Sequence, residues 1–462
     1  MNLSLEHLTF SYFEDAKPVV EDFSALFSSE EVTVLTGASG CGKSTLLMLA
    51  SGLYPGNGGF LRTGSVTIDG EDPGSLPPEK RCRLVSMMFQ NPDLQFCMDT
   101  VRNELIFTLE NLQTPPERFE EEMERALDFC GISHLKHRML QSLSGGEKQK
   151  VMLSCLVLIR PRWLLLDEPF ANIDNESARD IVLALKRLHK TEGTGILAVD
   201  HRLDNWVEVA DTLRVMEQKT LLPEKLSPGH LDVSFLEEHG IIVPGSPYPV
   251  PEYLKTPAER GEEEPLLTLK DLTVSYGEHR VLKGLHATFL PGHIYALTGP
   301  SGSGKSTLFQ ALLGTVKYKG SIAPKKGSRM GFVTQNPQDQ FLADTVKEEI
   351  AASLKGVEDA DAETERVLRG ISLWRYRDLS PYLLSQGQQR RLGVAALMAY
   401  HCDILVCDEP TYAQDRNNTL AIMTALCSLA REQNIALIFS THDPELARSF
   451  ADEVLVLEEG QL

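Results

Sequence analysis

Two short segments hold the residue types that phosphate chemistry asks for. GASGCGKST, from Gly37 to Thr45, and GPSGSGKST, from Gly299 to Thr307, both fit the pattern G-x4-G-K-S/T. Glycines let backbone N–H groups close around phosphate oxygens, a role suited to Gly37, Gly40 and Gly42 in the first segment and to Gly299, Gly302 and Gly304 in the second. Lys43 and Lys305 are expected to reach the β and γ phosphates of a nucleoside triphosphate. Ser44 and Ser306, followed by Thr45 and Thr307, are expected to bind Mg2+ and close the site. Further along, LLLDEP and LVCDEP each end an apolar run in paired acids. Asp167 and Asp408 suit the Mg2+ shell, and Glu168 and Glu409 suit a general base that activates the attacking water. A lone acidic pair at a strand end is ordinary surface chemistry; behind a phosphate loop at matched spacing, the catalytic reading prevails.

The elements needed to position these groups are legible as well. EVTVLTG and HIYALTG are β-branched apolar runs before the glycine loops, and STLLMLASGL and STLFQALLG are helical patterns after them. Strand, loop and helix in that order aim the positive end of the helix at the phosphates. The whole pattern occurs twice. From Ser144 to Ser385, Asp167 to Asp408 and His201 to His442 the displacement is 241 throughout, whereas it is 262 from Lys43 to Lys305 and 245 from Gln90 to Gln335. The first unit thus has 17 extra residues between its lysine and its glutamine, which predicts a longer surface loop near Tyr54 to Gly64. Between the units, Pro223 to Pro265 holds eight prolines, nine acidic residues and three basic ones. That composition predicts a semi-extended linker with a short ordered piece around Val233 to Val243. The expected domains are 1–222 and 266–462, joined by 223–265.

Composition excludes several classes. With 42% hydrophobic and 24% charged residues over 462 positions, the chain reads as globular and long enough for two cores. No run approaches the roughly 18 apolar residues of a membrane span, and the N-terminus lacks the charged and apolar regions of a cleaved signal, so a cytosolic chain is expected. The eight cysteines form no C-x-x-C pair, which gives neither a zinc site nor a disulfide framework. A net charge of −20 opposes a phosphate backbone, so no nucleic-acid partner is expected.

Taken together, the motifs resemble those of ATP-binding cassette (ABC) ATPases. The discriminating strings are LSGGE at 143–147 and LSQGQ at 384–388, each with its serine 23 residues before Asp167 or Asp408. The resemblance implies an α/β fold: two P-loop NTPase domains in tandem, each with a parallel core sheet, an antiparallel β portion and a helical subdomain bearing the signature. It implies that Ser144, Gly145 and Gly146, and in the other unit Ser385 and Gly387, contact ATP held by the opposite domain, in an intramolecular head-to-tail pseudo-dimer. It assigns Gln90 and Gln335 to a loop that senses Mg2+ and the transport partner, and Asp174 and Asp415 to the loop after the paired acids. His201 and His442 match the switch histidine facing the γ phosphate, and Tyr12 and Tyr276 match the aromatic stacked on adenine. Gln386 departs from the pattern, standing where the family usually has the first signature glycine. Two sites that hydrolyse unequally are therefore expected.

Past each loop glutamine, QNPDLQFCMDTVRNELIFTLENL and QNPQDQFLADTVKEEIAASL look like the ATPase pair of energy-coupling factor importers. That similarity implies partners: an integral membrane scaffold subunit and a substrate-binding membrane subunit, with this chain peripheral on the cytoplasmic side. Asp93, Glu104, Asp339 and Glu349 are candidates for an acidic groove that docks the scaffold. The rival readings are a soluble twin-cassette translation factor acting on the ribosome, disfavoured by the acidic connector, and the ATPase of a sugar-type importer.

Overall fold

The computed structural model describes the chain except residues 171, 172, 174, 256–263, 301, 335, 336, 355, 356, 358, 385, 400, 401 and 413, and the side chains of 175, 176, 337, 339, 386, 398 and 399. Its contacts divide into two compact units, 1–244 and 245–462.

In unit 1 the strands are β1 (Asn2–Ser11), β2 (Val20–Ser28), β3 (Val32–Thr36), β4 (Phe60–Ile68), β5 (Val85–Met88), β6 (Trp163–Asp167), β7 (Gly195–Val199), β8 (Thr212–Glu217) and β9 (Thr220–Leu226). The helices are α1 (Lys43–Ala50), α2 (Pro78–Leu84), α3 (Val101–Asn111), α4 (Phe119–Phe129), α5 (Gly145–Ile159), α6 (Asn175–Glu192) and α7 (Val233–Glu238). Unit 2 begins with α8 (Glu252–Lys255) and continues with β10 (Leu267–Tyr276), β11 (His279–Phe289), β12 (Ile294–Thr298), α9 (Lys305–Leu312), β13 (Tyr318–Pro324), β14 (Met330–Val333), α10 (Val346–Ser353), α11 (Ala360–Gly370) and α12 (Gln386–Ala399). It ends with β15 (Ile404–Cys407), α13 (Arg416–Gln433), β16 (Ala436–Ser440), α14 (Pro444–Phe450) and β17 (Glu453–Val456).

Each unit contains a mainly parallel sheet, in the order β5-β6-β7-β3-β8-β9 in unit 1 and β14-β15-β16-β12-β17 in unit 2. Separate antiparallel sheets run β2-β1-β4 and β11-β10-β13. Residues of β3 and β7 are buried at every position, as expected for parallel strands covered on both faces. The strand order explains where chemistry can gather. β6, β7 and β3 are neighbours, as are β15, β16 and β12, so the loops leaving their C-terminal ends meet at one edge of each sheet. Helices α3, α4 and α5 pack together beside the sheet in unit 1, and α10, α11 and α12 do so in unit 2.

Two expectations need correction. The first unit's extra residues lie mainly after β4 rather than near Tyr54 to Gly64. A 3-10 turn (Pro73–Ser75) and α2 stand between β4 and β5, whereas β13 leads to β14 without a helix between them. The proline-rich connector, moreover, is largely folded onto the units instead of extended. Asp232 caps α7 by accepting from Phe235 N–H at 3.1 Å, and Leu236, Ile241 and Val243 are buried in the core of unit 1. Ile242 N–H donates to the His201 carbonyl at 2.9 Å, and Leu203 N–H donates to the Ile242 carbonyl at 3.2 Å. On the other side, Tyr248, Val250 and Leu254 are buried in unit 2. Tyr248 donates its hydroxyl proton to Asp443 at 3.0 Å, and the Arg416 guanidinium lies 4.7 Å from the Tyr248 ring centre. The prolines broke regular structure without preventing burial of the apolar residues between them. Among the described residues no helix is long and apolar enough to cross a membrane.

Candidate functional site

The loop from β3 to α1 begins at Gly37, whose φ of 144° falls where side chains are strained, and a Cβ there would collide with the Met216 carbonyl oxygen on neighbouring β8. Gly299 repeats this against Leu457, with φ 143°. Gly40, Gly42, Gly302 and Gly304 complete the two loops with positive φ, and Gly42 and Gly304 lead into α1 and α9. Lys43 is 4% exposed and donates from Nζ to the carbonyls of Gly37 (2.7 Å) and Ala38 (2.9 Å). Lys305 does the same to Gly299 (2.7 Å) and Pro300 (2.9 Å). Each ammonium therefore lies across the mouth of its own loop, at the N-terminus of a helix.

In unit 1 the expected residues converge. Ser44 Oγ donates to Asp167 Oδ1 at 2.9 Å. Glu168 follows β6 with φ 45° and accepts from Gln90 Nε2 at 2.6 Å. Its other oxygen lies 3.0 Å from His201 Nε2. The Tyr12 hydroxyl bonds Thr45 Oγ1 at 2.8 Å, and its ring is 44% exposed, edge-on to Phe10 and Tyr54. Burial, and then the adjacent Glu168 charge, push the Asp167 carboxyl up to about 6 against the opposing pull of Ser44, Lys43 and His201. This is a crowded acidic centre that a cation would relieve.

Unit 2 presents a related but unequal set. His442 Nε2 lies 3.2 Å from Glu409 Oε1, and Glu409 has φ 50°. Asp408 Oδ1 accepts from Ser440 Oγ at 2.6 Å. Ser306 and Thr307 lie in the first turn of α9. Tyr276 is 52% exposed and donates to Gln310 Oε1 at 3.3 Å. Gln335, Ser385 and Asp174 lie outside the described residues, as does the Gln386 side chain. Asp415 caps α13 by accepting from Asn418 N–H at 2.7 Å.

The signature of unit 1 begins α5. Ser144 and Glu147 form a reciprocal capping box, with Ser144 N–H donating to Glu147 at 2.8 Å and Glu147 N–H to Ser144 Oγ at 3.3 Å. Gly145 opens the helix and Gly146 is buried; a Cβ on Gly146 would sit 2.6 Å from Ser177 Oγ, so this glycine lets α5 pass close to α6. Gly387 holds the matching place in α12, beside Gln414.

The acidic groove is not confirmed where it was expected. Glu104 (4% exposed) accepts from Cys97 N–H (2.9 Å) and Met98 N–H (2.8 Å), and Glu349 (6% exposed) accepts from Leu342 and Ala343 N–H, both at 2.9 Å. Both carboxylates are spent fastening the segment that follows the loop glutamine. Asp93 pairs with Lys148 at 2.7 Å, and the Asp339 side chain lies outside the described residues. What does border this segment is a recess lined by Met87, Phe89, Phe107, Leu112, Met152 and Cys155.

Three neighbours of the site escaped sequence reasoning. Asp200 immediately precedes His201, accepts from Trp206 Nε1 (2.8 Å) and Arg202 N–H (3.0 Å), and is pushed up to about 6 by burial and then by Glu168. Arg390, fully buried near Glu409, donates to the Thr334 carbonyl at 2.9 Å, and burial lowers it to about 10. Gln149 holds the matching place in unit 1 and donates to the Gln90 carbonyl at 3.3 Å. The third is Ser440. The signal for all three was the mismatch between aligned motif strings, such as AVDH against FSTH.

Metal ligation fits the first centre. The Ser44 hydroxyl and the Asp167 carboxylate, 2.9 Å apart, are hard oxygen donors of the kind a divalent ion takes. A divalent ion here would draw its remaining ligands from water and phosphate, the habit of Mg2+.

Comparison with known proteins agrees. The ABC transporter family profile matches residues 20–171 and 282–412. The "Putative HMP/thiamine import ATP-binding protein YkoD" of Bacillus subtilis is 34% identical over 100% of this chain and 90% of its own length. A "Putative ABC transporter ATP-binding protein" of Treponema denticola is 30% identical over 100% of this chain and 96% of its own. Among solved structures, an archaeal ribosome recycling factor crystallised with a ribosomal stalk protein aligns over 98% of this chain and 88% of that one, with TM-score 0.65 and 20% identity, a likeness of fold alone. With both glycine loops and both acidic strand ends inside the matched ranges, the chain belongs to the ABC transporter family and contains two of its ATP-binding units.

Proposed function

We propose that this chain is the ATP-hydrolysing, energy-coupling subunit of a membrane importer of the energy-coupling factor type, serving uptake of a vitamin, a vitamin precursor or a metal ion. The observation that carries the reading is full-length similarity to a relative whose name specifies HMP/thiamine import. The two post-glutamine strings support it independently.

In this reading Lys43 and Lys305 bind the β and γ phosphates, assisted by the N–H groups of the glycine loops. Ser44 with Asp167, and Ser306 with Asp408, would hold one Mg2+ in each unit, with Gln90 serving the first site and Gln335 the second. Mg2+ supplies neutralisation of charge on the transferred phosphoryl group. Glu168 and Glu409 orient and deprotonate the attacking water, while His201 and His442 steady the γ phosphate and the glutamate together. The unit 1 contacts support that division of labour: Gln90 and His201 each engage a different oxygen of Glu168. Tyr12 and Tyr276 stack on adenine. Each site is completed head-to-tail, Ser385 and Gly387 serving the nucleotide of unit 1, and Ser144, Gly145 and Gly146 that of unit 2. Closure favoured by ATP and reversed by hydrolysis is a shift between two states that bind the ligand unequally. The scaffold subunit docks on the cytoplasmic side at the recess beside the loop glutamine, where Phe89, Phe107 and Met152 offer apolar contact. The substrate binds a different membrane subunit.

The test is affinity purification of the tagged chain from membranes, with identification of the co-purifying proteins. A scaffold plus a small substrate-capturing membrane protein is expected. Recovery with ribosomes, or no membrane partner alongside active ATPase, would refute the importer role.

A further inference from the structure

The two units hold their metal-shell aspartates differently. In unit 1, Asp167 Oδ1 accepts from Ser44, the hydroxyl that shares its proposed metal, at 2.9 Å. In unit 2, Asp408 Oδ1 accepts instead from Ser440 Oγ at 2.6 Å. Ser440 is the last residue of β16, fully buried, and its oxygen also accepts the Glu409 N–H at 2.9 Å. That second bond fixes the hydroxyl: with its lone pair facing Glu409 N–H, its proton is left aimed at Asp408. Unit 1 has Val199 in the same place at the end of β7, and there Glu168 N–H donates to the Val199 carbonyl at 2.9 Å. A valine side chain offers Asp167 nothing, so no comparable tether exists on that strand.

We propose that Ser440 is a positioning residue that tethers Asp408 to the neighbouring strand and makes unit 2 the weaker of the two Mg2+–nucleotide sites. A hydroxyl bonded to an ionised carboxylate in a dry setting draws charge from the oxygen that accepts it and restrains the carboxylate's rotation. Metal capture in unit 2 must loosen that bond. In unit 1 the corresponding bond already joins two prospective ligands. The inference rests on the reading of Lys, Ser and Asp as Mg2+–ATP sites; it is independent of any transport role.

The experiment uses the full chain with a saturating non-hydrolysable ATP analogue and Mn2+ in place of Mg2+, bound metal being counted by electron paramagnetic resonance. Wild type is expected to bind Mn2+ in two classes differing by up to about tenfold, the loosening of one charge-assisted hydrogen bond. Ser306→Ala should abolish the weaker class and thereby assign it to unit 2. Ser440→Val, which installs the residue of unit 1, should tighten the weaker class towards the stronger one. Ser440→Thr keeps the hydroxyl and should retain the wild-type pattern, which separates the tether from packing. A single Mn2+ class in the wild type overturns the proposal, as does a Ser440→Val protein whose weaker class is unchanged or weaker still, or a Ser440→Thr protein that behaves like the valine variant. Absence of analogue-dependent Mn2+ binding at both units would instead overturn the Mg2+–ATP reading beneath it.

Discussion

Replacing Asp200 by asparagine isolates a buried charge next to His201. Asp200 is raised from 3.8 to about 6, first by burial and then by Glu168. Because the folded state holds the proton more tightly than the unfolded one, the linkage has a definite sign: stability falls as pH climbs from about 4 to about 6 and is level above that. The shift corresponds to at most about 3 kcal/mol over that window. Asparagine keeps an acceptor for Arg202 N–H but loses the one for Trp206 Nε1, a pH-independent loss of about 1 to 2 kcal/mol. The difference between variant and wild type should therefore move in favour of the variant between pH 4 and 6. For a unit of this size each kcal/mol is worth about 2 to 4 °C, so the melting difference should change by up to about 10 °C across the window. The assay is thermal unfolding of both nucleotide-free proteins from pH 4 to 8. Asp167, also raised, is common to both and cancels. Parallel melting curves, separated by a constant offset, would refute the argument that burial and Glu168 oppose this charge.

Glu104→Ala should destabilise unit 1 by about 2 to 4 kcal/mol, because two inward backbone N–H groups lose their acceptor, while Glu104→Gln should cost about 1 kcal/mol; denaturant unfolding distinguishes them. Gly146→Ala should cost about 1 to 3 kcal/mol through the contact with Ser177, and it should slow turnover by displacing α5, read from unfolding and phosphate release. Glu168→Gln and Glu409→Gln should each depress steady-state ATPase, but unequally; equal losses of turnover would count against two dissimilar sites.

The parts of the site that could be read in advance are those whose geometry is local in sequence. Lysine and serine follow the last glycine of each loop by one and two residues, so the chain's own turn delivers them to the helix start, and a string such as GASGCGKST already contains the arrangement. Asp167 and His201 were legible because each ends or follows a strand, and neighbouring parallel strands bring such ends to one edge. The partners supplied across strands were not legible. Ser440 looks like ordinary strand material until β16 is laid beside β15, and Glu104 looks like a solvent-facing acid until α3 turns it towards Cys97 and Met98. The connector misled for a related reason: its prolines and acids advertise an extended chain, whereas Leu236, Ile241, Val243, Tyr248 and Leu254 are spaced among them as anchors.

Those anchors decide where the polypeptide can be divided. A fragment stopped at residue 222, the domain boundary expected from the sequence, would empty the seats of Leu236, Ile241 and Val243 and strip the backbone partner from the carbonyl of His201. A second fragment begun at residue 266 would uncover Asp443 and Arg416 by deleting Tyr248. Fission between Pro244 and Gly245 keeps every one of these fasteners with the half it secures, making that peptide bond the natural seam for expressing the halves as separate chains.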